Sequence, residues 1–239
     1  MAPSKQATHA QETKFSSGPD EKLIVEQIYN AVMEQRLAPN TKLSESRLCE
    51  IFGVGRMRVR RALLLLSSQG IVELKSNRGA FVACPDQGEA NDVFEARLLI
   101  EPPLVRQLAL SHSDDLLTLL SAHIAREDTA RTKQERTEMI RLSGEFHLRL
   151  AEATRNQVLV RILRELVTRT SLIVGLFGIS GQSSCPDNEH MEILRAISQR
   201  DPARAEQQVK SHLEHIRSGL SMDERKGRPD DLLNVLGRS

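Results

Sequence analysis

The chain of 239 residues has no tryptophan, one tyrosine and six phenylalanines. Proteins that bind single-stranded nucleic acid stack bases on aromatic side chains, and segment 20–83 offers only Tyr29, Phe52 and Phe81, all at core-like positions. That class is excluded. Cysteine is scarce too: Cys49, Cys84 and Cys185 are odd in number and form no CxxC pair, which argues against a disulfide framework and for the cytosol. Cys185, on a loop, is assigned no role. The longest apolar stretch, Ser171–Ile179, contains two glycines and falls far short of the ~20 residues that span a bilayer. Met1–Pro19 is polar and lacks the apolar core of a secretory signal. Residues 1–19 therefore read as a disordered arm, and the protein as soluble and cytoplasmic. A charge excess is missing as well, since the formal net charge is only +1 and gives no hint of a nucleic-acid partner. Its distribution is uneven: residues 20–83 carry three more Lys and Arg than Asp and Glu, and residues 84–221 three fewer.

What is present divides in two. Cys84-Pro85-Asp86-Gln87-Gly88 interrupts both helical and strand patterns, which places a linker at 84–88 between domains at 20–83 and 89–221, each long enough to bury its own core. Residues 222–239 form a charged tail expected to add little to the core. In the first domain Ile24, Ile28, Ala31 and Val32 follow helical spacing. A second helix is expected from about Ser44, a good N-cap, to Phe52. Gly53-Val54-Gly55 turns the chain into a third helix with an apolar stripe at Val59, Ala62, Leu63 and Leu66. Ile71–Leu74 and Ala80–Val82 read as strands around Ser76-Asn77-Arg78-Gly79, a candidate wing. After the linker every long segment is helical in period, with helix starts at Ser113, Asn156 and Asp201-Pro202. The fold class is mainly α: a winged helix-turn-helix followed by an all-α bundle of about six helices.

Arg56, Arg58, Arg60 and Arg61 occupy the faces of the third helix that the apolar stripe leaves open. A planar guanidinium fork pairs bidentately with guanine O6 and N7 or with phosphate, and the N-terminal end of this helix is the end that enters the groove in helix-turn-helix proteins. A merely solvated basic face is the alternative.

The sequence resembles the GntR-type bacterial transcription regulators, in the FadR-like branch with an FCD-type helical ligand-binding domain. The resemblance spans residues 20 to about 221. It is carried by Leu37-Ala38-Pro39-Asn40-Thr41-Lys42-Leu43-Ser44-Glu45, Phe52-Gly53-Val54-Gly55-Arg56, Val59-Arg60-Arg61-Ala62-Leu63, and Gly70-Ile71-Val72 leading to Arg78-Gly79-Ala80-Phe81-Val82. It implies that Arg47, Arg56 and Arg60 are the principal DNA-contacting arginines, with Ser44 near the backbone and Asn77-Arg78-Gly79 at the wing tip. The family usually has Ser-Arg-Thr-Pro at the start of the third helix and a Glu after the second conserved arginine. This chain has Gly55-Arg56-Met57-Arg58, and Arg61 at the Glu position. Met57 and Arg58 thus fall where the family often discriminates bases, and the two added charges steepen the salt dependence expected of binding.

His147, His190 and His212 each lie on an apolar helical stripe and point inward, with His215 a competitor one turn after His212. Three convergent imidazoles suit zinc or nickel; three hydrogen-bonded core histidines are the alternative. The resemblance implies metal, because Glu145-Phe146-His147, Glu189-His190 and Ser211-His212 look like the family's three metal-histidine segments. The family's Asp, one turn before the first histidine, is here Ser143. Neutral ligands alone leave the metal its full charge to attract an anionic effector. Arg97 matches an arginine near the family's effector cavity and is expected to pair with an effector carboxylate or with Glu101 at i+4.

The leading expectation is a homodimeric regulator, a repressor by the family's usual behaviour. It binds a near-palindromic double-stranded operator and senses a small carboxylate-bearing metabolite in the helical domain. Two rivals are a metal-dependent hydrolase, with the three histidines and Glu145 or Glu189 as base, and a purely structural DNA-bridging protein.

Overall fold

The computed structural model describes residues 21–178, 188–221 and 232–237. The arm at 1–19, Cys185 and most of the tail lie outside the described residues.

The N-terminal part is built from α1 (Glu21–Met33), β1 (Lys42–Leu43), α2 (Glu45–Phe52), α3 (Arg56–Ser68), β2 (Val72–Lys75) and β3 (Gly79–Val82). α2 follows Ser44, whose extended backbone places it at the N-cap, and ends at Gly53, whose φ of 61° permits the tight turn toward Gly55 and α3. The expected hairpin is present, but it belongs to a three-stranded antiparallel sheet of order β1-β3-β2. β1 sets Lys42 opposite Phe81 and Leu43 opposite Ala80. Two residues are too few for an alternation pattern, so this strand left no mark in the sequence.

The C-terminal part is a bundle of α4 (Gln87–Leu110), α5 (Asp114–Thr132), α6 (Arg136–Ala153), α7 (Gln157–Phe177), α8 (Glu189–Ser198) and α9 (Pro202–Ser218). Ser113, Asn156 and Asp201 cap α5, α7 and α9 by accepting from first-turn N–H groups. The linker is shorter than 84–88. The Asp86 side chain accepts from Glu89 N at 2.8 Å, so Gln87 and Gly88 already form the first turn of α4. α4 runs through Pro102 and Pro103, each of which lacks an amide donor and leaves a carbonyl one turn back without its helical bond. Burial of Leu104, Val105 and Leu108 holds the helix together across this interruption.

The two cores do not divide at the linker. One cluster joins the α1 stripe and the α3 stripe to Ile140 of α6 and to Leu172, Ile173, Val174 and Leu176 of α7. The other fills the far end of the bundle, around Phe146, Leu163, Ile193 and Leu213. The end of α1 abuts the end of α7. A Cβ on Gly175 would lie 2.7 Å from Met33 Sδ, so the glycine permits the close approach. Gln35 Nε2 donates to Leu176 O and Gly178 O, at 3.2 and 3.1 Å. Arg136, at the start of α6, donates from Nε to Met33 O and from Nη2 to Val174 O, both at 3.2 Å. Two side chains thus satisfy the last carbonyls of both helices while tying the head to the bundle.

The tail also corrects the expectation that it adds little. α10 (Leu232–Leu236) buries Leu232 and Leu236 in the same cluster as the head, and Arg36 Nη1 donates to Val235 O at 2.8 Å. Two leucines four residues apart were hidden in a charged segment. Leu236→Ala is expected to destabilise the protein by about 2 kcal/mol, the low end for such a truncation because a short terminal helix can collapse onto the space. A urea titration followed by circular dichroism checks this.

Candidate DNA interface and candidate metal centre

α3 buries Val59, Ala62, Leu63 and Leu66, which turns Arg56, Met57, Arg58, Arg60 and Arg61 to solvent. Arg60 Nε donates to both oxygens of Glu45, at 2.9 and 3.0 Å. This leaves the two Nη groups as the outward end of the fork. Glu45 was missed in the sequence, where its distance of fifteen residues from Arg60 concealed the pairing. Arg47 reaches Glu50 at 3.5 Å, and Ser44 Oγ lies 3.0 Å from Ser46 Oγ. At the wing tip Asn77 and Gly79 take φ values of 57° and 95°, and the Arg78 guanidinium rests 5.7 Å over the Phe81 ring. All three wing-tip residues are exposed.

In the bundle His147 of α6, His190 of α8 and His212 of α9 converge, and all three are buried. His212 Nε2 lies 3.0 Å from His147 Nε2 and 3.1 Å from His190 Nε2. Behind each ring stands a carboxylate. His147 Nδ1 donates to Glu101 at 2.5 Å, His190 Nδ1 to Glu127 at 2.8 Å and His212 Nδ1 to Glu189 at 2.8 Å. Nδ1 protons directed at the carboxylates turn the Nε2 edges of the rings toward one another, the arrangement in which imidazoles ligate a cation. Carboxylates that fix the tautomer in this way are the usual support of metal-binding histidines. Nitrogens of a tetrahedral zinc site stand about 3.3 Å apart at normal zinc–nitrogen distances, close to the spacing found. The donor set fits a divalent metal.

The charge states agree. Burial holds His147 neutral, its pKa lowered to about 3 even though Glu101 pulls the other way. Burial pushes Glu127 up, but the bonds from His123 and His190 outweigh it and bring its pKa down to about 2. Glu101 is likewise held well below the usual carboxylate range, because Arg97 and His147 outweigh the effect of burial. An ionised carboxylate behind the neutral His147 ring forms a pattern that a dication neutralises.

The other expected residues fall close by. Ser143 lines a narrow cleft beside His147 and is not among the converging donors. His215 is 57% exposed and bonds Glu189 from outside the cluster. Arg97 is buried and donates from Nε to Glu101 at 2.5 Å, while its Nη2 has no hydrogen-bond partner. Arg97, Ser143, Gly144, Thr170 and Ser171 line the same cleft, whose volume of about 20 Å³ holds little more than one water. Glu101 was expected as a partner of Arg97, and is one, but not as the carboxylate behind His147; Glu127 was not foreseen. The available signal for Glu127 was its place four residues after His123 on the inward stripe of α5, with Leu120 and Ile124. From His190 the bonds continue outward. Glu127 lies 3.3 Å from His123 Nε2, and Arg149 Nε donates to His123 Nδ1 at 3.1 Å.

The geometry gives the hydrolase alternative no support. Glu189 is shared by His212 and His215, and Glu145 is engaged by Arg141 at 2.5 Å.

Residues 21–82 match the model of bacterial regulatory proteins of the gntR family, and residues 92–215 match the FCD domain. The transcriptional repressor NanR of Salmonella newport is 30% identical over 202 residues, covering 72% of this chain and 74% of that protein. The uncharacterized regulator YdhC of Bacillus subtilis is 23% identical over 192 residues, covering 79% and 85%. In fold the chain is similar to a GntR regulator from Rhodococcus sp. RHA1, with a TM-score of 0.68, 19% identity and coverage of 83% and 95%. It also resembles E. coli McbR/YncC, with a TM-score of 0.65, 15% identity and coverage of 82% and 93%. Among the described residues no helix is long and apolar enough to cross a membrane. The chain belongs to the GntR family of bacterial transcriptional regulators, in the branch that carries an FCD domain.

Proposed function

We propose that the protein is a cytoplasmic homodimeric repressor whose heads, residues 20–83, bind a near-palindromic operator through Ser44, Arg47, Arg56, Met57, Arg58, Arg60, Arg61 and the wing tip Asn77-Arg78-Gly79. The bundle, residues 89–221, takes zinc or nickel on His147, His190 and His212, and a small carboxylate-bearing effector beside it. One observation carries the sensing role. Three buried imidazoles converge, with His212 Nε2 within 3.1 Å of the Nε2 atoms of His147 and His190, and beside His147 a narrow cleft is lined by Arg97, whose Nη2 has no hydrogen-bond partner. The first group suits a cation and the second an anion, and a bound metal supplies a positive charge for an acid to meet. Arg97 Nη2 is placed to bond the same acid, and Ser143, Thr170 and Ser171 offer hydroxyls. Because the cleft is so small, effector entry displaces its walls, including Val174 of α7. The effector shifts the heads only to the extent that it binds one arrangement better than the other.

The dimer is proposed on the outer face of α4 and α7. Leu99 (78% exposed) and Leu110 of α4 and Val158 and Ile162 of α7 are exposed, on neighbouring helices that Glu89 and Arg169 link at 3.1 Å. Pairing of these side chains across a two-fold axis would cover them and set two heads for two half-sites.

Light scattering is expected to give twice the mass of the chain, and footprinting to protect two half-sites. A panel of small mono- and dicarboxylates should raise the melting temperature only after metal loading. A monomer whose melting temperature ignores every acid ends this reading.

A further inference from the structure

We propose that Arg61, at the position where the family usually has Glu, reads a guanine in each operator half-site. The inference rests on α3 being the helix that enters the major groove. With Val59, Ala62, Leu63 and Leu66 buried, helical geometry puts Met57, Arg61 and Leu64, spaced i, i+4 and i+7, on the face opposite the core. Met57 is 64% and Leu64 57% exposed, and Arg61 is exposed between them. Arg61 lies in the second turn of α3, close to the N-terminal end that meets base edges in helix-turn-helix proteins. It points about 100° around the helix from Arg60, so the two forks address different base pairs.

Their partners separate the two arginines further. Arg60 is held at Nε by Glu45, which orients its fork and offsets part of its charge. Among the described residues Arg61 has no hydrogen bond and no ion pair. Its guanidinium gives up no protein partner on entering the groove, and both of its edges are available for bidentate pairing with guanine O6 and N7. Met57 and Leu64 on either side offer apolar atoms, which match a thymine methyl rather than a phosphate. The ridge therefore specifies a guanine with thymine beside it.

The test is selection of operators from a pool with randomised half-sites. The full-length protein and its Arg61→Ala, Arg61→Lys and Arg60→Ala variants are used, each then titrated against single-base variants of the selected site over a range of salt. Because Arg61 is exposed, its variants should fold as the parent does. Both Arg61 variants are expected to lose discrimination at one position of each half-site by on the order of 10- to 100-fold, because lysine keeps the charge but lacks the fork. A uniform loss across all sequences, with a shallower salt slope and recovery in Arg61→Lys, would make Arg61 a phosphate contact and overturn the proposal. Loss of specificity in Arg60→Ala with no change in either Arg61 variant also removes Arg61, while leaving α3 in the groove. If the parent protein enriches no sequence at all, the placement of α3 falls with it.

Discussion

Arg60→Ala should abolish specific operator binding while leaving the fold intact. The side chain is exposed, so its loss opens no cavity in the head. A good bidentate arginine–base pair is worth ~1–3 kcal/mol, and a symmetric dimer loses the pair twice. The expected penalty is then roughly 2–6 kcal/mol, or about 30-fold to more than 10⁴-fold in affinity. A second effect adds to the first. Glu45, whose two oxygens receive Arg60 Nε, becomes an uncompensated carboxylate close to DNA phosphates. Glu45→Ala combined with Arg60→Ala is therefore expected to bind better than Arg60→Ala alone, although without the sequence preference of the parent. A gel-shift titration with specific and scrambled duplexes measures both effects, and unchanged affinity in Arg60→Ala would take this helix out of the interface.

His212→Ala should eliminate stoichiometric metal from the purified protein. Of the three rings His212 is central, with its Nε2 within 3.1 Å of both neighbours, so its removal leaves two imidazoles and no third nitrogen. Loss of a supporting carboxylate typically costs 10- to 100-fold in metal affinity, which is the expectation for Glu127→Gln. Loss of the ligand itself should exceed that. Since a ligand that binds only the folded state stabilises it by mass action, a chelator should lower the melting temperature of the parent and leave that of His212→Ala unmoved. Elemental analysis and calorimetry decide between the cation site and three core histidines. Full metal content in His212→Ala, or a parent protein indifferent to chelator, would favour the latter.

Much of this architecture was legible because it is written locally. Helix caps at Ser113, Asn156 and Asp201, the stripe on α3 and the inward registers of His147, His190 and His212 all depend on residues within a turn or two of one another. The hidden parts depend on partners distant in sequence. Glu101 stands 46 residues from His147 and Glu127 63 residues from His190, and no periodicity links a carboxylate on one helix to an imidazole on another. The same holds for Gln35, which meets α7 more than 140 residues away, and for α10, whose two buried leucines lie within a segment that is otherwise charged. Ser143 was read correctly as a residue type and could not be read as a location. Only the fold shows that a small hydroxyl there becomes part of the cleft wall.

The last turns of α7 have two employers. Ser171 and Val174 form part of the cleft wall, while the backbone oxygen of Val174 is bonded by Arg136, which also holds Met33 of the head. One residue farther on, Gly175 has no room for a Cβ against Met33. A lineage that enlarges or trims residue 171 or 174 to accept a different metabolite therefore also moves the seat of the head. Changes of chemical diet and changes in tolerated operator spacing should arise together among descendants of such a protein, with compensating substitutions gathered at residues 33, 35 and 136.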